Sequence, residues 1–212
     1  MKITAVKSLA FPEVKVIQYE RFLDNRGYFS ESFRRSDFKN NPQMEFVKNV
    51  EFLQCNESYS KKGAVRGLHF QWNPVMGKMV RTIFGHMVDL VLDIRKNSPT
   101  LGKIIAYDMP TTVDNNCGEW IWVPPGFAHG NVYFEDSMIE YFCTGEYSPG
   151  CEAGISPLAA DIDWSLCDTE LRKKFDLIAS VTKLITEKDR NGLTVDEWKT
   201  AKNSDKFIFG KL

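Results

Sequence analysis

The stretch GAVRGLHFQWNPVMGKMVR, residues 63–81, predicts two β-strands and the turn between them. Val65 to Gln71 has the length and the alternation of a strand, and Pro74 ends it because proline supplies no donor to a strand ladder. We expect a second strand to begin near Lys78. If the two strands pair in one sheet, His69 and Lys78 hold an imidazole and an ammonium at fixed positions, as proton transfer beside a carbonyl requires. The alternative interpretation is that His69 is a structural strand histidine and that Arg66 and Lys78 are surface cations.

The chain around this stretch has the pattern of an all-β protein. From Val14 to about Ile155, short apolar or alternating runs are separated by Gly, Pro and Asn, which is typical of a sandwich or barrel. Within 87–94, residues of one parity are all apolar, whereas Asp89 and Asp93 fall on the opposite face. The preceding Gly85–His86 is expected to form a tight turn that leaves the histidine exposed.

The residue pattern changes from strand-like to helix-forming after Trp164. Helix-forming residues occupy 169–180, 181–187 and 195–202, and Thr194 with Glu197 forms a capping-box pattern at the start of the last segment. We therefore expect one β domain, residues 1–165, with a helical C-terminal extension, residues 166–212, packed on the same domain.

Composition excludes several classes of partner. Lys and Arg total 27 against 28 Asp and Glu, so the net charge is −1 and neither nucleic acid nor a membrane surface is an expected partner. The first residues lack a signal-peptide core and no apolar stretch is long enough to span a bilayer, so a soluble, cytoplasmic protein is expected. The five cysteines show no CxxC spacing, which predicts reduced thiols that serve in packing.

A turn near the start of the chain carries two polar candidates. Asp24 to Gly27 separates two short apolar runs, and Arg26 and Glu31 are its notable charges. Their ordinary interpretation is that both are solvated charges, one on a turn and the other at a strand edge. An arginine presented on a turn is equally suited to bidentate contact with a phosphate.

The segment GEWIWVPPGFAH, residues 118–129, resembles the second motif of the cupins, jelly-roll barrels in which a strand delivers a histidine to the interior. Many cupins hold a metal through this histidine and a His-x-His of their first motif. His69 is followed by Phe70 and Gln71, so that first motif is incomplete here. Because metal binding needs a full ligand set, we predict a site without a metal.

A longer resemblance covers about 150 residues. The ordered segments VRGLHFQ, VDLVLDIRKNSPTLGK, WVPPGFAHG and EYFCTGEYSPGCE are similar to the dTDP-4-dehydrorhamnose 3,5-epimerase family. The resemblance implies a cupin-type jelly-roll homodimer that needs no cofactor. It also implies a reaction, the inversion of ring carbons beside the 4-keto group of a nucleotide-diphosphate 4-keto-6-deoxy sugar.

The resemblance assigns catalytic roles by position. His69 matches the base that removes a proton, Tyr141 the acid that returns one to the other face, and Lys78 the cation beside the enolate oxygen. A proton next to a ketone is too weakly acidic for such a base unless the developing enolate is stabilised. The family's carboxylate that orients the histidine matches Asp189, although the distance from Trp164 is longer than the family pattern and indicates an insertion. The alternative for Asp189 is an ordinary turn residue.

Further positions match the family's substrate contacts, namely Arg26, Glu31, Gln54, Asn56, Arg66, His129, Glu152 and Lys188. Tyr147 and Trp122 are aromatic candidates for stacking on the base, with a core role as the open alternative. Arg66 has opposite parity to His69, so both reach one cavity only if Gly67 permits a bulge or a local twist. Asn131 departs from the aromatic residue expected after AHG.

The sequence thus predicts epimerisation at C3, C5 or both, with an enolate intermediate. The open alternatives are an epimerase that inverts one carbon, an enzyme for a GDP- or CDP-linked hexose or heptose, a related ketoisomerase, and a non-catalytic sugar-binding jelly roll.

Overall fold

The computed structural model describes residues 1–111, 113 and 115–212, and its fold is a sandwich of two antiparallel sheets. The strands within these residues are β1 (Ile3–Ser8), β2 (Lys15–Glu20), β3 (Phe22–Asp24), β4 (Gly27–Phe29), β5 (Gln54–Ser60), β6 (Val65–Gln71), β7 (Lys78–Phe84), β8 (His86–Asp93), β9 (Ile104–Pro110), β10 (Cys117–Val123), β11 (Phe127–Tyr133), β12 (Ser137–Cys143) and β13 (Glu152–Gly154). One sheet has the order β1-β2-β10-β7-β12-β5, and the facing sheet has the order β13-β6-β11-β8-β9. The predicted jelly roll is confirmed.

Apolar side chains form three layers around the sheets. The layer between the sheets contains Val80, Val91 and Ile121. A second layer lies on the outer face of the five-stranded sheet, where Leu90 packs with residues of the C-terminal extension. Trp198 of that extension is almost fully buried, and its Nε1 donates a hydrogen bond of 2.9 Å to the backbone carbonyl of residue 94. Both faces of the central strands are therefore buried.

The helices agree only in part with the sequence pattern, because the segment 169–180 is helical as predicted but the helix that begins at Val195 ends at Thr200. They are α1 (Arg35–Asn40), α2 (Thr169–Val181), α3 (Glu187–Arg190) and α4 (Val195–Thr200), with 3₁₀ helices at Pro42–Val47 and Lys202–Lys206. The capping box of Thr194 and Glu197 is confirmed. The predicted helix at 181–187 is wrong, because the Thr182 hydroxyl donates to the backbone carbonyl of Gly63 at 2.6 Å and Thr186 instead caps α3. No helix in the described residues is long and apolar enough to cross a membrane.

The strands at the opening stretch are confirmed, but their pairing is not. β6 and β7 have the predicted starts, yet β6 belongs to the five-stranded sheet and β7 to the six-stranded sheet. The segment from Trp72 to Gly77 carries the chain across the sandwich. His69 and Lys78 consequently face each other from opposite walls, which gives both access to a ligand held between the sheets.

The prediction of an exposed turn at His86 is also wrong. Gly85 alone connects β7 to β8 with φ of +87°, and a Cβ there would lie 2.2 Å from the Asp136 carbonyl oxygen. His86 is therefore the first residue of β8, and it is half-buried with its Nε2 2.5 Å from Asp108 Oδ1.

Candidate active site

Several titratable side chains line a cavity between the two sheets. The cavity has two adjoining lobes of about 320 and 310 Å³. Four side chains line both lobes: His69, Lys78, Tyr141 and Lys188. The structure thus brings the predicted base, cation and acid to one cavity.

His69 and Asp189 form an imidazole–carboxylate pair on the wall made by β6 and α3. Nε2 of His69 lies 2.7 Å from Oδ1 of Asp189, and the Asp189 side chain is only 6% exposed. The other Asp189 oxygen accepts a hydrogen bond from the backbone N–H of Gly67 at 3.4 Å. Because a carboxylate only accepts hydrogen bonds, it fixes the tautomer with the proton on Nε2 and leaves the Nδ1 lone pair free.

The charge state of Asp189 suits this role. Burial opposes ionisation, but the hydrogen bonds from the His69 ring and from nearby groups outweigh burial, and the pKa of Asp189 lies below its ordinary value. The carboxylate is held on α3 by the cap at Thr186, whose Oγ1 accepts from the backbone N–H of Asp189 at 3.1 Å. The imidazole–carboxylate pair therefore forms from two segments far apart in the chain, and α3 sets its geometry.

Lys78 and Tyr141 lie on the opposite wall, on the adjacent strands β7 and β12. Burial lowers the pKa of Lys78, and its ammonium forms no hydrogen bond or ion pair with the residues that the structure describes. Burial, with a smaller contribution from Cys143, raises the pKa of the Tyr141 phenol. The wall thus combines a cation with no carboxylate partner and a phenol that keeps its proton to high pH.

A buried polar cluster, which we call the Asp89 cluster, consists of Asp89, His129 and Asn131. Oδ2 of Asp89 accepts from His129 Nε2 at 2.7 Å and from Asn131 Nδ2 at 3.2 Å, and Asp89 is fully buried. His129 and Asn131 line the second lobe. Sequence reasoning assigned no role to Asp89, although its parity on β8 already placed it opposite the apolar face.

Five of the predicted substrate-binding residues lie at the first lobe. Lys188 Nζ lies 2.9 Å from Glu152 Oε1, and the ammonium holds the pKa of Glu152 below its ordinary value against the effect of burial. Tyr147 is 56% exposed, and its backbone N–H donates to Gln54 Oε1 at 2.8 Å. Gln54 Nε2 in turn donates to Asn56 at 2.9 Å, so this rim is a connected polar network.

The parity difference between Arg66 and His69 is resolved by a bulge. Where β6 pairs with β11, His69 lies opposite His129 and Arg66 lies opposite Asn131. A separation of three residues on β6 therefore matches a separation of two on β11. Gly67 has φ of +115°, and a Cβ there would lie 2.5 Å from Gly130 Cα. The predicted bulge is confirmed, and both Arg66 and His69 line the second lobe.

Three predicted residues lie away from the cavity. Arg26 is 85% exposed on the β3–β4 hairpin and pairs with Asp24 at 2.6 Å. Glu31 pairs with the N-terminal amine and Arg34, which lowers its pKa to about 2. Trp122 is buried in the apolar layer outside the six-stranded sheet, so of its two interpretations the core role holds. Local ion pairing and burial therefore keep these side chains from the cavity within one chain.

The described residues contain no group of three or more His, Cys, Asp or Glu side chains placed to hold a metal ion. The five cysteines have free side chains. Cys143 is buried at the first lobe and accepts a weak hydrogen bond from Asn56 at 3.7 Å.

Comparisons with known proteins identify the family of this chain. Residues 8–197 match the family model of dTDP-4-dehydrorhamnose 3,5-epimerase. The enzyme of that name from Sinorhizobium fredii is 39% identical over 175 residues, which are 80% of this chain and 85% of that protein. The one from Neisseria gonorrhoeae is 34% identical over 94% of this chain, which spans only 58% of that protein's length. The crystal structure of dTDP-6-deoxy-D-glucose-3,5-epimerase from Legionella pneumophila, in complex with dTDP-4-keto-L-rhamnose, has a TM-score of 0.72 and 27% identity over 91% of this chain and 93% of that one.

Proposed function

Because the chain belongs to the dTDP-4-dehydrorhamnose 3,5-epimerase family, we propose that it inverts C3 and C5 of a dTDP-linked 4-keto-6-deoxy sugar through an enolate. One observation carries the proposal: the His69–Asp189 pair faces Lys78 and Tyr141 across a single cavity. The substrate class is supported by the Legionella relative, which holds dTDP-4-keto-L-rhamnose.

The first step is removal of a proton from a carbon beside the ketone. Nδ1 of His69 takes the proton, the C–H electron pair forms a C=C bond to the carbonyl carbon, and the negative charge moves to the ketone oxygen. The Lys78 ammonium stabilises this oxygen. Asp189 stabilises the imidazolium and holds its orientation.

The second step returns a proton to the same carbon from the other face. Tyr141 lies on the wall opposite His69, so its phenol donates to the face that the base does not contact. The enolate collapses to the ketone with inverted configuration. Solvent then returns a proton to the tyrosinate and takes one from the imidazolium, and the net reaction is an isomerisation.

The remaining cavity residues hold the rest of the substrate. Arg66 and Lys188 supply positive charge for the diphosphate. The amides of Gln54 and Asn56 are placed for polar groups of the sugar or base, and the exposed ring of Tyr147 for stacking on the base. Glu152 and His129 complete the polar lining.

We also propose a homodimer. The β3–β4 hairpin exposes the apolar side chains of Phe22, Leu23, Tyr28 and Phe29, which are each between 42 and 67% exposed. A contiguous apolar hairpin on a soluble chain is the type of surface that an interface covers. Light scattering with size exclusion should give twice the chain mass of 24.3 kDa, and Phe29→Asp should shift the protein toward the monomer.

Solvent exchange tests the reaction. The protein is mixed in D₂O with dTDP-4-dehydro-6-deoxyglucose, and deuterium at C3 and C5 is followed by NMR. We expect label at both carbons. Label at one carbon indicates a single-site epimerase, and no label with any of several nucleotide keto-sugars supports a binding protein.

Two histidine variants make the test specific. His69→Ala should abolish exchange. His86→Ala is the matched control, because His86 also pairs with a carboxylate, Asp108, but lies outside the cavity. Wild-type exchange in His69→Ala would contradict the assigned base.

A further inference from the structure

Asn131 is a buried amide that reaches the cavity without belonging to the proton-transfer set. It lies on β11, is 5% exposed, and lines the second lobe together with His69 and Tyr141. β11 is flanked by β6 and β8, and Asn131 pairs with Arg66 on one side and Asp89 on the other. The backbone at Asn131 is thus fixed within the sheet.

The orientation of the amide follows from its neighbours. Asp89 accepts hydrogen bonds only, so the amide nitrogen of Asn131 must face it, and Nδ2 lies 3.2 Å from Asp89 Oδ2. Nδ2 also lies 3.3 Å from the sulfur of Met87. Oδ1 therefore points away from Asp89. Oδ1 accepts no hydrogen bond from the described residues. It is also not sealed from solvent, so it is open to the cavity that Asn131 lines.

A fixed acceptor of this kind discriminates between ligands. It cannot rotate to present its NH₂ group without setting an oxygen against the Asp89 carboxylate. The carboxylate also repels a phosphate at this point. The group that satisfies Oδ1 is a hydrogen-bond donor of the sugar, and a sugar without that donor leaves a desolvated acceptor unpaired.

We propose that Asn131 is a specificity-determining residue whose Oδ1 accepts a hydrogen bond from a hydroxyl or amino group of the sugar. This inference rests on the proposed epimerase function and deepens it. The cavity accordingly selects for a sugar that carries a donor at one defined carbon, and Asp89 acts as the positioning residue for the amide.

Matched sugar pairs test the inference. Deuterium exchange at C5 is measured for dTDP-4-dehydro-6-deoxyglucose against its 2-deoxy, 3-deoxy and 6-hydroxy counterparts. The wild type should prefer the hydroxylated member of at least one pair by roughly tenfold or more in kcat/KM. Asn131→Leu, which removes the acceptor at similar volume, should reduce that preference to less than about threefold.

Two further variants test whether the preference depends on the acceptor and not on the shape of the lobe. Asn131→Ser shortens the side chain and so withdraws the acceptor from the cavity, and it should lose the same preference. Ile139→Val changes the lining of the same lobe without a hydrogen-bonding group, and its preference should equal that of the wild type. Thermal unfolding of each variant confirms that the fold is intact.

The outcomes separate the two proposals. An equal preference in the wild type, Asn131→Leu and Asn131→Ser, or no preference in the wild type, would overturn the inference about Asn131 alone. Absence of exchange with every sugar would overturn the proposed function and this inference with it.

Discussion

Lys78→Met should stabilise the protein while it removes the activity. The Lys78 side chain is half-buried at the cavity, its ammonium has no carboxylate partner among the described residues, and burial lowers its pKa. Folding therefore desolvates a charge that no ion pair compensates. The methionine side chain has a similar length and fills the same space with apolar atoms.

The two effects have magnitudes that can be measured. Replacing the buried ammonium should raise the free energy of unfolding by about 1–2 kcal/mol at pH 7, as for other substitutions that relieve a destabilised functional site. For a chain of this length, that gain corresponds to a rise in Tm of roughly 2–8 °C. Loss of the only cation proposed at the enolate oxygen should lower kcat/KM by about 10²–10³-fold, which is the usual cost of removing one oxyanion donor.

The pH dependence of the stability gain follows from linkage. A lysine whose pKa is lowered by folding destabilises the fold while it is charged in both states, below its folded pKa. This cost disappears as pH rises from the folded pKa toward the ordinary value of 10.5, because the folded protein then sheds its proton first. The advantage of Lys78→Met should therefore be largest below the folded pKa of Lys78 and shrink as pH rises from there toward 10.5.

Lys188→Met is the matched control, because Lys188 lines both lobes but pairs with Glu152, and that pairing raises the pKa of Lys188. It should lose about 0–1 kcal/mol of stability instead of gaining any. Differential scanning calorimetry and the deuterium exchange assay provide both readouts. A Tm for Lys78→Met at or below the wild-type value, or exchange within threefold of wild type, would refute the reasoning.

Four other outcomes are expected. Asp189→Asn should lower kcat/KM by about 10²–10⁴-fold with little change in KM, since it removes the charge that holds the imidazole tautomer; an unchanged kcat would contradict the role of the pair. Tyr141→Phe should still lose the substrate proton to solvent but yield less inverted sugar, so label without inversion in the NMR spectrum is the signature, and equal rates of both would exclude Tyr141 as the acid. Lys78→Arg should move the alkaline limb of the kcat/KM profile to higher pH, because burial lowers the pKa of the lysine whereas arginine stays charged; a fixed limb would assign it to another group. Gly67→Ala should destabilise the fold by more than about 1 kcal/mol in urea titration, because its Cβ would lie 2.5 Å from Gly130 Cα at φ of +115°.

The sequence predicted local structure well where the signals were local. β6 has the predicted bounds because apolar alternation and the Pro74 stop both act within a few residues. The bulge at Gly67 was also foreseeable, since two residues of opposite parity had to reach one cavity. The helix at 181–187 was mispredicted because propensity contains no information about the contact between Thr182 and Gly63.

Long-range partners were harder to predict. Nothing local indicates that β7 pairs with β10 and β12 and not with β6, because sheet membership is decided by the whole sandwich. The contact between His69 and Asp189 was expected only from the resemblance to a family. The role of Asp89 was missed, although alternation on β8 exposed the signal, because a buried carboxylate has meaning only once its partners are known.

The separation of 120 residues between His69 and Asp189 has a consequence for biosynthesis. At ordinary translation rates, the ribosome makes the second residue on the order of ten seconds after the first. During that interval the growing polypeptide carries an imidazole whose proton is not yet directed to one nitrogen. If the proposed mechanism holds, a chain that terminates before Asp189 is inactive, so turnover in a cell extract measures only molecules whose synthesis has passed Asp189.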